Sequence, residues 1–279
     1  MVPPPHIFQR LITLADNFYA VACDVLAMGP PCHEAPVTGT GTTVAELLDA
    51  VGSSIDALAA DCRRLRTEHV QRQLAARGMN GNLHGLKLHV GAGKHPLESW
   101  INIDRHPAEL AMDVRWGLPF PDGSVRYVFM SHVLEHFYYP YEALRVLQDI
   151  HRVLEPGGIV RIVVPDIEKC LRTYVEPDPD FVAARTKTWD WWPTDATRLE
   201  GFLGYAGATA SPSALLVSHK FGYDFETLHK LLRNAGFDAI ARSDYLTSTH
   251  PELLVDDRSE VAHATFRDEH YSLFVEAVR

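Results

Sequence analysis

Apolar positions in the second half of the chain fall into short runs separated by turn residues. Leu86–Val90, Trp100–Ile103, Val125–Met130 and Ile159–Val164 are such runs, and near-continuous apolar segments of this length are strands buried on both faces of a parallel sheet. Between them the period changes. From Tyr141 to Leu154 the residues Leu144, Val146, Leu147, Ile150, Val153 and Leu154 make one helical face, and Pro156-Gly157-Gly158 stops it. A second helix is predicted from Asp224 to Ala235, with Leu228, Leu231 and Leu232 inward and Gly236 as its C-cap. Ala239–Tyr245 and Tyr271–Val278 close the series. Tyr271, Leu273, Val275 and Ala277 alternate, as an antiparallel strand requires. Strands alternating with helices predict an α/β fold, a doubly wound and mostly parallel sheet with an antiparallel last strand.

The first 80 residues are of another kind and read as a helical segment. Ile7 to Met28 is one predicted helix, broken by Gly29-Pro30-Pro31. Thr43-Val44-Ala45-Glu46 is a capping-box signature. Behind it Val44, Leu48, Val51, Ile55, Leu58, Cys62 and Leu65 form a stripe spaced by fours and threes. The stripe suits a helix packed on its own domain, or a seam between two copies in a homodimer. Gly78 to Gly85 is a joint, and 86–279 is the main domain.

Composition narrows the partners. The net charge is −10 and no basic run of five residues occurs, which argues against nucleic acid and an anionic membrane surface. Four cysteines without paired spacing, Cys23, Cys32, Cys62 and Cys170, suggest a reducing compartment. MVPPPHIF lacks the basic start and apolar core of a signal peptide, and no apolar run approaches a membrane span. A cytoplasmic location is expected.

The chemistry concentrates after the first strand. LHVGAGKHPLESWINID, His89 to Asp104 with its leading Leu88, is a strand, a Gly91-Ala92-Gly93 turn and a second strand ending in a carboxylate. The glycines allow close backbone approach to a ligand, and Asp104 can accept ribose hydroxyls. A dinucleotide fingerprint needs a third glycine and an acid about 20 residues on. Here Lys94-His95-Pro96 follows Gly93, and Asp104 lies 13 residues after Gly91. A ligand with a ribose and no phosphate fits better, and S-adenosylmethionine is such a ligand.

Four blocks, LHVGAGKHPLESWINID, LPFPDGSVRYVFMSHVLEH, RVLEPGGIVRIVVPD and HKFGYDFETLHKLLRNAGF, together resemble the class I S-adenosylmethionine-dependent methyltransferases. The branch is that of small methyltransferases from bacterial polysaccharide and natural-product gene clusters. The resemblance implies a Rossmann-like fold over roughly 86–279. It implies that Gly91 and Gly93 line the cofactor, that Asp104 holds its ribose and that Asp113 with Val114 meets the adenine. His89 and Ser131, in the same strand-end motifs, join that cofactor-binding set.

Methyl transfer to an alcohol requires a base, and histidine leads on pKa. His132 just past the fourth strand is the preferred base, with His95, His136 and His219 also within reach of the site. By resemblance, His219 binds the acceptor or fixes a lid. Asp166 at the end of the fifth strand is the alternative base, or a cap for the next helix. His132 and His136 have a His-x-x-x-His spacing, but their third ligand is not obvious beyond Asp166, and no metal is assigned. Residues 171–223 are an insertion carrying Trp189, Trp191, Trp192 and Tyr205, an aromatic lid for a sugar or a local cluster that pins the loop. The expected activity is O-methylation of a sugar or glycosylated natural product. The alternatives are N-, C- or phenol O-methylation of a small metabolite, or a non-catalytic nucleotide-binding scaffold.

Overall fold

The computed structural model describes residues 43–79, 83–105, 108–176, 195, 197–206, 218–258 and 272–279. The predicted helix Ile7–Met28 and the tryptophans Trp189, Trp191 and Trp192 lie outside the described residues, as does the side chain of Tyr205.

Helix α1 runs Val44–Ala76. Its start is the capping box: Thr43 Oγ1 accepts from Glu46 N, and Glu46 Oε2 accepts from Thr43 N at 2.8 Å. The chain divides into two units, Met1–Glu68 and His69–Arg279. The division falls inside α1 and not at the Gly78–Gly85 joint, because the last two turns belong to the second unit. There Val70 and Leu74 enter the main core. Gln73 donates to and accepts from the backbone of Ala111, at 3.0 and 2.8 Å, pairing with an edge strand that would otherwise offer free hydrogen bonds.

Seven strands form one sheet: β1 Leu86–Val90, β2 Ile101–Asp104, β3 Leu110–Ala111, β4 Val125–Ser131, β5 Leu154–Pro165, β6 Ala239–Ser243 and β7 Ser272–Val278. Their order is β3-β2-β1-β4-β5-β7-β6. All ladders are parallel except those of β7, which runs antiparallel to both β5 and β6. This is the doubly wound sheet with an antiparallel last strand that the apolar runs predict. Helices α2 (Tyr141–Val153), α3 (Ile167–Val175), α4 (Arg198–Tyr205) and α5 (Phe225–Ala235) complete the described α-helices.

The sheet carries two apolar faces. The larger cluster includes Leu88, Val90, Val128, Met130, Ile162 and the inner faces of α2 and α5. The smaller gathers Leu97, Trp100, Phe129, Ile159, Val163, Leu253, Val255 and Phe274. On that second face lies Arg161, fully buried, bonded to Asp256 through Nε at 2.8 Å and Nη2 at 2.6 Å, and to Glu276 at 2.7 Å. The backbone carbonyls of Asp244 and Thr247 take further guanidinium hydrogens.

Strand order grows outward from β1 to β2 and β3 on one side, and from β4 onward on the other. The chain therefore parts between β1 and β4, and at such a switch point the loops leave in opposite directions and open a crevice at the carboxyl ends of the strands.

Candidate functional site

Two loops meet at that crevice. The first leaves β1. Gly91 and Gly93 have φ of +76° and +53°, a left-handed backbone that favours glycine. A Cβ added at Gly91 would stand 2.0 Å from Val133 Cγ2. The glycine turn thus packs directly on the loop that follows β4, and Gly91 is required by the protein itself. Asp104 crosses beneath the turn: its Oδ2 accepts from Gly93 N at 2.7 Å and its Oδ1 from Arg105 N. A carboxylate has about four acceptor positions, so two backbone donors fix it and leave capacity for ribose hydroxyls. Glycine backbone beside an anchored, partly exposed carboxylate fits S-adenosylmethionine.

Asp113 lies just past β3. It caps the 3₁₀ turn Val114–Trp116, and its carboxylate is held by Arg115 at 2.6 Å. Burial pushes its pKa up, but the Arg115 hydrogen bonds and charge more than offset this and hold it below the usual range. Val114 beside it is buried. His89 leaves the cofactor set. Its ring is 1% exposed and lies on the second apolar face against Phe129, with Nδ1 on Asn102 Oδ1 at 3.1 Å. Burial lowers its pKa to about 4 despite the Asn102 bond. It is an interior histidine kept neutral.

The second loop leaves β4. Its backbone N–H at His132 donates to Val163 O, and His132 has φ of +53°, a strained conformation for a non-glycine residue and one that clusters at functional sites. The imidazole bridges two partners: Nδ1 lies 3.3 Å from Glu135 Oε1, and Nε2 lies 3.0 Å from Ser272 Oγ. Residues Leu134–His136 form a 3₁₀ turn, so His132 and His136 do not share an α-helix. Glu135, within this turn, is fully buried.

A third segment is stitched onto this turn. The Glu135 carbonyl accepts from Lys220 N at 2.6 Å and Phe221 N at 3.3 Å. Those bonds bring His219 to Glu135, its Nε2 4.0 Å from Oε1. They also set the His136 and His219 rings edge to face, 5.0 Å apart. His136 Nδ1 donates to the Ser218 carbonyl at 3.2 Å. The structure thus brings together His132, Glu135, His136 and His219. Asp166 stays outside: its Oδ1 caps α3, accepting from Glu168 N and Lys169 N. Burial nonetheless raises its pKa above the usual range. The cap is one of the two roles the sequence left open for it.

Buried polar atoms are nearly always hydrogen-bonded, so each exception calls for a cause. Among the described residues, the buried side-chain oxygens without such a bond are Ser131 Oγ, both oxygens of Glu135 and Tyr223 OH. All belong to the end of β4 or to its neighbours. Burial and the Glu135 charge push the Tyr223 phenol far up. Burial also pushes Glu135 up, yet His132 first, then His136 and His219, pull it down to about 2. Its signal in the sequence was a single acid within an apolar run, flanked by histidines three residues before and one after.

Residues 38–162 match a family model described as a methyltransferase domain. With the strand order and the glycine–carboxylate loop, this match supports an S-adenosylmethionine-dependent methyltransferase. S-adenosylmethionine is its cofactor, and methyl transfer its enzymatic activity. No curated protein matches the sequence. Among solved structures, an S-adenosylmethionine-dependent methyltransferase from Thermotoga maritima is similar at 16% identity, over 80% of this chain and 96% of that one, with a TM-score of 0.40. One from Mesorhizobium loti is similar at 17% identity over 74% and 96%, with a TM-score of 0.39. A phosphoethanolamine N-methyltransferase from Haemonchus contortus, bound to S-adenosylmethionine, is similar at 14% identity over 75% and 52%, with a TM-score of 0.36. Among the described residues no helix is long and apolar enough to cross a membrane.

Proposed function

We propose that the protein methylates a hydroxyl oxygen of a sugar or glycosylated natural product, with His132 as the base. The observation that carries this reading is the Glu135–His132–Ser272 line, a carboxylate, an imidazole and a hydroxyl in succession. A neutral hydroxyl is a poor nucleophile and needs its proton removed, whereas an amine does not. Glu135 Oε1, 3.3 Å from Nδ1, favours the imidazolium that forms, while Nε2 already exchanges a hydrogen bond with a hydroxyl. S-adenosylmethionine, when bound, would supply a methyl group activated by a sulfonium, for transfer to the acceptor oxygen with S-adenosylhomocysteine as leaving group. His132 Nε2 takes the proton of the acceptor hydroxyl. Gly91, Gly93 and Asp104 bind the donor. Asp113, Val114 and Ser131 complete that cradle on this reading, with Ser131 Oγ available for a hydrogen bond. The sugar assignment draws on the aromatic composition of 171–223.

His132→Ala is expected to lower turnover by about 10²–10⁴-fold and to leave S-adenosylhomocysteine affinity unchanged by calorimetry. Pooled sugar-containing acceptors with donor should give a methyl mass shift that the variant abolishes. Near-native turnover by the variant would sink the hydroxyl assignment and point to an amine. The same reading takes Leu58 and Leu65, each over half exposed on α1, as part of a seam with a second copy. Light scattering showing a wild-type monomer would dispose of that seam.

A further inference from the structure

The carboxylate and ring nitrogens of Glu135, His136 and His219 lie within 4.8 Å of one another. We propose that these residues hold a divalent transition-metal cation of the zinc kind, on the acceptor side of the site.

Three observations carry this. First, the donor set is two imidazoles and one carboxylate, a common protein contribution to a catalytic zinc ion, which leaves a coordination position open. Second, His136 Nδ1 faces a carbonyl, Ser218 O at 3.2 Å. A carbonyl only accepts, so Nδ1 carries the proton and Nε2 keeps the lone pair. Metal-bound histidines are oriented in this way by a donated N–H. Third, Glu135 is fully buried with neither carboxylate oxygen hydrogen-bonded. A buried carboxylate without a hydrogen bond is costly unless paired or bound to a metal. Around Oε1 stand His132 Nδ1 at 3.3 Å and His219 Nε2 at 4.0 Å, and a cation among these nitrogens gives the carboxylate a partner.

Tetrahedral donors around zinc stand about 3.4 Å apart, so the trio, within 4.8 Å, closes by about 1.4 Å at its widest. The backbone bonds from Lys220 and Phe221 hold the segment against the turn, and rotation of the His219 side chain, 22% exposed, supplies that shift. For its use, though not for its existence, the site rests on the hydroxyl acceptor proposed above. At the open position it takes the acceptor oxygen and lowers the pKa of its hydroxyl, and His132 receives the proton.

The test uses full-length protein without a histidine tag, stripped with chelator and titrated with Co²⁺, with no donor or acceptor present. Stoichiometric binding with a visible d–d band, displaced by Zn²⁺, is expected. Losing an outer-shell partner typically costs 10–100-fold in metal affinity, so loss of a ligand in Glu135→Gln or His219→Ala should cost about 100-fold or more. His229→Gln, outside the cluster, should bind as wild type. Should Glu135→Gln fail to fold by circular dichroism, His219→Ala alone decides. No stoichiometric binding by the wild type, binding retained in His219→Ala, or equal weakening in His229→Gln each overturns the site. Binding is read without turnover, so its failure leaves the acceptor assignment standing, and a failed acceptor screen leaves the site standing.

Discussion

Two buried carboxylates in this domain live in opposite circumstances. Asp256, on the second apolar face, meets both nitrogens of the Arg161 fork at 2.6 and 2.8 Å, and each partner is fully buried. Glu135, at the end of β4, is equally buried but has no hydrogen bond on either carboxylate oxygen. The first arrangement satisfies itself: charge meets charge, and backbone carbonyls take the remaining guanidinium hydrogens. The second is complete only when something else enters, whether a proton on an imidazole or a cation. A closed polar cluster holds strands together, and an open one at a switch point is where chemistry is done.

The largest effect should come from opening the closed cluster. Asp256→Asn leaves the Arg161 guanidinium buried with half its charge partners gone. Breaking a buried pair in this way costs about 3–5 kcal/mol. Denaturant unfolding measures it, and the folded fraction should keep its S-adenosylhomocysteine affinity. A loss under 1 kcal/mol would show that Glu276 and the backbone carbonyls suffice, and the contrast with Glu135 would collapse.

A pH measurement sharpens the contrast through a third buried polar group. His89 has a folded pKa of about 4 against 6.5 for an ordinary histidine, chiefly through burial. The folded state therefore binds fewer protons than the unfolded state between those values. Stability from this group is complete above pH 6.5 and is lost as pH falls towards 4. The shift corresponds to about 3 kcal/mol. His89→Phe should flatten the stability curve in that window. A curve unchanged by the substitution would remove His89 as the cause.

How far this was legible in the sequence follows from the same residues. Continuous apolar runs such as Val125–Met130 and Ile159–Val164 declare a parallel sheet because burial on both faces leaves no polar side to alternate. Gly91, Gly93 and Asp104 were legible because the pocket is built from neighbours along the chain. Glu135 was not, since its burial depends on Lys220 and Phe221, more than 80 residues later. Asp166 could be read as base or cap, and the sequence does not show that its Oδ1 takes the α3 amides. Arg161, inside an apolar strand run, gave no hint that Asp256 would meet it.

The smallest effect on stability, and the sharpest test of the contrast, is expected at Glu135. Glu135→Gln keeps the shape and removes the charge. Neither oxygen makes a hydrogen bond to lose, and the buried charge itself is unfavourable. Against this, the amide gives up the attraction of three neighbouring imidazoles. The two contributions oppose, and the net change should lie within about 1 kcal/mol, several-fold below that of Asp256→Asn. Turnover should fall all the same, because His132 loses the negative charge 3.3 Å from its Nδ1 that favours the imidazolium. The conservative Glu135→Asp, which keeps the charge on a shorter arm, should recover part of it. A Glu135→Gln protein destabilised as strongly as Asp256→Asn would make this carboxylate a structural ion pair after all. The open cluster would then be open only in its hydrogen bonds and not in its energetics.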